Sequence, residues 1–124
     1  IYTNKQLRLI IASANEPDRA IGAIDLFDFD PYHMRAGVGI LIHNETERQK
    51  GYASEALKVL IKYCFGHLHF KQLYCNITED NCNSITLFMN SGFVKCGEKK
   101  NWIKSDEGWK SEYMFQLLNE KAES

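Results

Sequence analysis

The residues of this sequence best suited to chemistry open the stretch RQKGYASEAL, Arg48 to Leu57. Arg48, Gly51 and Ala53 stand in an R-x-x-G-x-A spacing, directly after an apolar run and directly before a long apolar periodicity. A helix N-terminus carries unpaired backbone N–H groups and the positive end of the helix dipole, so an anion placed there meets several donors at once. Gly51 and Ala53 would let a phosphate approach closely, and Arg48 and Lys50 add positive charge. The chemistry this suggests is a pyrophosphate cradle. The same stretch also fits a glycine-containing helix start with basic residues facing water. A second group, Asp25, Asp28 and Asp30, is interleaved with Phe27 and Phe29. Carboxylates beside aromatic rings suit a cationic amine, and they also suit a solvated loop.

The elements that must position these residues follow from periodicity. QLRLIIAS, AIGAIDLF and RAGVGILIH read as three short strands, with NEPD as a turn and DFDPYHM as a polar loop. The period then changes. Ala53, Ala56, Leu57, Leu60, Ile61, Cys64, Phe65 and Leu68 recur at the three- and four-residue spacing of one helix face. KQLYCNIT reads as a strand, and NSITLFMNSG as a short helix closed by Gly92. FVKCGEKKNWI and WKSEYMFQLL read as two strands around a turn at KSDEG, with residues 119–124 as a frayed tail. Three strands, a helix, a strand, a helix and two strands predict a mixed α/β sheet with a parallel pair in its middle. One domain over residues 1–124 is expected.

Composition narrows the classes. A formal net charge of −1 argues against a basic nucleic-acid or anionic-membrane surface. No apolar run approaches the roughly 20 residues of a membrane span. Cys64, Cys75, Cys82 and Cys96 match no zinc spacing, so no metal is expected. Buried free thiols in a reducing cytoplasm are the expectation.

Two motifs together point to a family. Arg48-x-x-Gly51-x-Ala53 lies between a strand and a long helix, and EDNCNSITLFMNSGF follows some thirty residues later. The second stretch resembles the E-N-x-x-A-x-x-L-Y-x-x-x-G-F segment of the GCN5-related N-acetyltransferase (GNAT) superfamily. Asn81, Leu87, Gly92 and Phe93 match it, and Ser84 replaces a small alanine. The closing GEKKNWIKSDEGWKSEYMFQL is most similar to spermidine/diamine and ribosomal-protein N-terminal acetyltransferases. The resemblance implies a GNAT-like acyl-CoA N-acyltransferase fold with splayed parallel strands, here Ala36–Ile42 and Leu73–Thr78. Acetyl-CoA would lie in the opening. Its pantetheine amides would pair with the backbone of Ile40, Leu41 and Ile42. Its pyrophosphate would sit on the amides of Arg48, Gln49, Lys50, Gly51, Tyr52, Ala53 and Ser54. Asn81 would approach the pantetheine arm, and Asn90 lies where some relatives also touch the cosubstrate. The reaction implied is acetyl transfer to a primary amine, a polyamine, diamine or protein N-terminus, by direct attack in a ternary complex. A coenzyme A-binding sensor or scaffold with weak catalysis is the alternative.

The sequence departs from that pattern in three places. Where many relatives carry a tyrosine acid, this chain has Phe88, which lacks a hydroxyl. Tyr113 or Tyr74 would substitute, or water would protonate a thiolate of ordinary pKa about 8.5. Where many relatives place a glutamate base, RAGVGILIH has no carboxylate. His43, with a reference pKa of about 6.5, or water leading to Asp25 or Asp28 would serve. The family's pattern also has one or two helices and a strand ahead of Ile1, so a truncated chain with an uncovered sheet edge, open to a second copy, is expected.

Overall fold

The computed structural model describes residues 6–13, 16–42 and 47–120. Strands β1 (Leu7–Ser13), β2 (Glu16–Asp30) and β3 (Arg35–Ile42) are followed by helix α1 (Glu47–Lys62), which widens into a π-turn at Tyr63–His67. Strand β4 (Gln72–Thr78), helix α2 (Cys82–Asn90) and the hairpin β5 (Val94–Ser105) and β6 (Gly108–Leu118) complete the chain. The six strands form one sheet in the order β1-β2-β3-β4-β6-β5. Among the described pairings only β3–β4 is parallel, joined by α1 as the crossover.

One face of the sheet carries the core. The period-3.6 stripe read from the sequence is the buried side of α1. Ala53, Leu57, Leu60 and Cys64 are buried, and Ala56, Ile61, Phe65 and Leu68 are packed against the same cluster. They meet Leu26, Val38, Leu73, Cys75, Ile77 and Phe115 from the sheet. Helix α2 adds Phe88, whose ring stands edge-on to Phe93 at 5.0 Å. It ends at Gly92, whose φ of +102° is the left-handed conformation that favours glycine.

Several sequence expectations need correction. Glu16 to Asp18, read as part of a turn, lie in β2. Asp28 to Asp30, read as loop, continue that strand through a bulge. Phe27 pairs with Gly37 and Asp30 with Arg35, so three steps along β2 oppose two along β3. The extra residue is accommodated by Asp28 at φ +51°; a short polar side chain tolerates that conformation better than a branched one. Asn119, placed in the frayed tail, is buried. Its backbone N–H donates to Lys71 O at 2.8 Å and its Nδ2 to Phe70 O at 3.0 Å. Of the four thiols, Cys64 and Cys75 are buried while Cys82 and Cys96 are exposed.

The opposite face is built around a missing side chain. Phe27, Gly37 and Tyr74 stand side by side across β2, β3 and β4. A Cβ on Gly37 would come within 2.4 Å of the Phe27 ring. Glycine therefore lets Phe27 cross β3 and meet Tyr74 edge-to-face at 6.2 Å and 82°. Gly37→Ala is expected to displace the Phe27 ring and cost about 1–3 kcal/mol of stability. Denaturant unfolding of parent and variant checks this, and equal midpoints would show that the ring has room to yield.

Candidate active site

The ladder between β3 and β4 joins only Arg35–Gln72, Ala36–Leu73 and Gly37–Tyr74. Beyond them the strands part. Val38 to Ile42 stay paired with β2 on their other side, and Cys75 to Thr78 stay paired with β6. The inner edges of both strands therefore face a cleft with backbone groups that no strand partner satisfies among the described residues. A ligand carrying amides along its length suits such an edge.

The chain leaves β3 at Ile42 and enters α1 at Glu47. The whole segment Arg48 to Ser54 is helical, which corrects the expectation of a loop with every amide exposed. From Gly51 onward the helical ladder directs N–H groups to carbonyls four residues back. The donors left for an anion are those of the first turn of α1. Gly51 lies one turn in, exposed, with nothing within 4 Å of an added Cβ. Glycine inside a helix costs roughly 1 kcal/mol relative to alanine, and here neither packing nor a left-handed φ calls for it. A group approaching from outside the chain would account for it. Tyr52 is half-buried against the core, Ala53 is buried and Ser54 is half-buried. Ile40 is half-buried on the cleft strand and Leu41 is exposed.

Asn81 follows β4 and caps α2, its Oδ1 accepting from the Ser84 N–H at 3.2 Å. Its nitrogen is not consumed by that bond. The Glu79 N–H donates to Ser111 O at 2.9 Å, Lys110 pairs with Asp80, and the Ser111 N–H donates to the Glu79 carboxylate. These contacts tie the turn before Asn81 to the closing hairpin. Asn90 is the exposed last residue of α2. Phe88 is a core residue, 2% exposed. Tyr113 is half-buried on β6, on the core side, with Lys95 Nζ 3.7 Å from its ring centre. His43 lies outside the described residues.

The three aspartates do not form one free acidic cluster. Asp25 is held by the Arg8 fork at 2.7 and 2.8 Å, and that bonding keeps its carboxyl below the usual range. Asp30 accepts from the His33 backbone at 3.1 Å and lies 2.8 Å from His33 Nδ1, again lowering its pKa. Asp28 accepts from the Tyr74 hydroxyl at 3.1 Å. Burial first, then that carboxylate, pushes the Tyr74 phenol up, so it stays a donor at neutral pH. The bulge at Asp28 also separates the two rings once read together. Phe29 turns to the core against Phe70, while Phe27 stays on the open face.

Beside the end of the β3–β4 ladder, on the open face, lies a hollow of about 460 Å³ lined by Arg35, Gln72, Tyr74, Asn76, Lys99 and Met114. Of these the sequence reading had singled out only Tyr74. A signal was present in β4, where Gln72, Tyr74 and Asn76 alternate with the buried Leu73, Cys75 and Ile77. Arg35 and Lys99 gave none, since each resembles any surface cation. Burial raises the Cys64 thiol to about 11 and the Cys75 thiol to about 12, which makes both poor nucleophiles at neutral pH. Among the described residues no group of three potential metal ligands occurs, and no helix is long and apolar enough to cross a membrane.

This architecture meets its relatives in direct comparison. Residues 2–94 match the acetyltransferase (GNAT) domain family model. An N-acetyltransferase 9-like protein of Nematostella vectensis is 32% identical over 87 residues, covering 69% of this chain and 44% of the relative. Spermidine N(1)-acetyltransferase of Escherichia coli (strain K12) is 28% identical over 98 residues, covering 79% of this chain and 50% of that protein. The dodecameric spermidine N-acetyltransferase of Vibrio cholerae superposes with a TM-score of 0.79 at 21% identity, over 91% of this chain and 64% of that one. The chain belongs to the GNAT acetyltransferase family. It spans about half the length of the curated relatives it matches.

Two substitutions check the placement of these residues. Gly51→Glu has open space around it and should fold like the parent, yet weaken acetyl-CoA at least about a hundredfold by loss of charge-assisted bonds. Calorimetry beside a thermal melt reads both, and unchanged affinity would remove the anion site. Phe88→Tyr should lose about 1–3 kcal/mol of stability, because the new hydroxyl enters an apolar core. An undiminished melting temperature would place that ring edge at a polar boundary.

Proposed function

We propose that this chain is an N-acetyltransferase that moves the acetyl group of acetyl-CoA to a primary amine by direct attack in a ternary complex. The observation that carries the reading is the parting of β3 and β4 after Tyr74, with the N-terminus of α1 following the end of β3. Family membership supports it. The cleft edges around Ile40 to Ile42 suit the amide-bearing arm, the first turn of α1 suits the pyrophosphate, and Asn81 borders the far strand.

The acceptor amine attacks the thioester carbonyl carbon. A C–N bond forms, the C–S bond breaks, and the electron pair leaves with sulfur. An acceptor entering as an ammonium must lose one proton before attack and a second after it. The departing thiolate takes up one proton, leaving a net proton for water. On the open face Asp28 supplies a carboxylate and Tyr74 a neutral hydroxyl hydrogen-bonded to it. Asp28 would receive the ammonium and Tyr74 would orient Asp28. Tyr113 and His43 stand as further candidates for the acid and base roles. The spermidine enzymes among the relatives favour a polyamine or diamine as one acceptor class; a protein N-terminus is the other we consider. Activity in the cytoplasm, as a homo-oligomer, fits this reading.

A coenzyme A-binding module with weak catalysis is the second reading, favoured by the burial of Phe88 at the position of the family's tyrosine acid. Thiol release from acetyl-CoA over a panel of primary amines separates the two. Transfer predicts release that depends on the amine, and Tyr74→Phe should raise the acceptor KM while the acetyl-CoA Kd stays unchanged. Tight acetyl-CoA binding without release for any amine would favour the module.

A further inference from the structure

The hollow on the open face differs from what a polyamine would select. Its lining holds two cations, Arg35 and Lys99, and no carboxylate. The nearby carboxylates lie outside that lining. Asp30 accepts from His33, Asp28 accepts from Tyr74, and Glu112 faces Lys99 across the β5–β6 ladder. Neither lining cation is saturated by these neighbours. Arg35 Nη2 is 3.4 Å from Asp30 Oδ2, an oxygen already 2.8 Å from His33 Nδ1, and the rest of the guanidinium fork is left over. Lys99 Nζ is 3.6 Å from Glu112 Oε1, beyond hydrogen-bond length. Both side chains are about two-fifths exposed, at 42% and 40%. They hold position while keeping donors for a ligand.

The polar groups are distributed unevenly. At the end of the ladder, Tyr74 and Asp28 form a hydroxyl–carboxylate pair beside the cleft. Arg35 and Lys99 come from β3 and β5, on strands flanking β4 and β6. Gln72 is fixed by Gln116, whose Nε2 donates to Gln72 Oε1 at 2.9 Å, so its carbonyl is already used. An amine that lodged its ammonium at Asp28 would extend its remaining chain into a space that offers cationic donors. A second ammonium there would meet like charge, whereas a carboxylate would meet Arg35 and Lys99.

We infer that the acceptor is a primary amine carrying its own carboxylate, as in an amino acid or an acidic peptide N-terminus, with the amine at Asp28–Tyr74 and the acid group at Arg35 and Lys99. This rests on the acetyl-transfer reading for its chemistry, but the recognition it describes is a binding property that can be measured alone. The transfer step is the one balanced above, with the acceptor's carboxylate unchanged.

The test uses three probes of similar length: 4-aminobutyrate, butylamine and 1,4-diaminobutane. Calorimetry with the acetyl-CoA-bound chain reads their binding, and thiol release reads their turnover. The inference predicts that 4-aminobutyrate binds at least about tenfold more tightly than either of the others. It predicts that Lys99→Gln and Arg35→Gln each remove about tenfold of that preference, since one charge-assisted bond is lost in each. The control Lys104→Gln, an exposed position on β5 outside the hollow, should leave the ranking unchanged. Preference for 1,4-diaminobutane, or equal binding of the three probes, would overturn the inference. Selective binding of 4-aminobutyrate that Lys99→Gln abolishes, with no thiol released, would uphold the recognition and overturn the transfer reading instead.

Discussion

Three residue pairs hold β3 to β4, and the candidate site depends on the ladder stopping there. Had the strands remained hydrogen-bonded to their ends, their inner backbone groups would satisfy one another and the sheet would present a closed surface. Instead each strand keeps its outer partner, β2 or β6, and its inner edge is left for something else. The crossover helix packs Leu57, Leu60 and Cys64 onto the core beneath the sheet. The parted strands thus remain fixed from one face while the gap between them stays open.

The two faces of the sheet divide the labour. The core face carries the apolar residues of both helices, including Phe88, which has no hydroxyl to donate. On the open face, Gly37 lets Phe27 reach Tyr74, and Tyr74 in turn reaches Asp28. The bulge at Asp28 sends Phe29 to the core and leaves Asp28 beside Tyr74. A glycine, an aromatic pair and a left-handed aspartate together fix one carboxylate next to the end of the parallel ladder.

Helix α1 was legible in the sequence because its burial follows a single period from Ala53 to Leu68, and the order of elements followed from the change of that period. The ends of β2 were not, because Asp18, Asp28 and Asp30 carry the signature of loops. The carboxylates of Asp28 and Asp30 are accommodated at a bulge and in ion pairs, which periodicity does not record. The start of α1 was misplaced for a similar reason: Gly51 reads as a loop residue, and its exposure inside a helix is visible only once neighbouring atoms are placed. The aspartates suggested a cation site because charge is visible in one dimension and partnership is not. Arg8 lies seventeen residues before Asp25, and only the β1–β2 register puts them opposite each other. The hollow lined by Arg35 and Lys99 joins residues far apart in the chain, so it had no local signature.

The central claim is that acetyl-CoA occupies the cleft between β3 and β4 and the first turn of α1. Backbone amide hydrogen exchange with and without acetyl-CoA tests it most directly. The account predicts slowed exchange at Val38 to Ile42 and in the first turn of α1, with the β5–β6 turn at Asp106 and Glu107 unchanged. Protection that appeared only in the hairpin, or none at all at saturating acetyl-CoA, would contradict it.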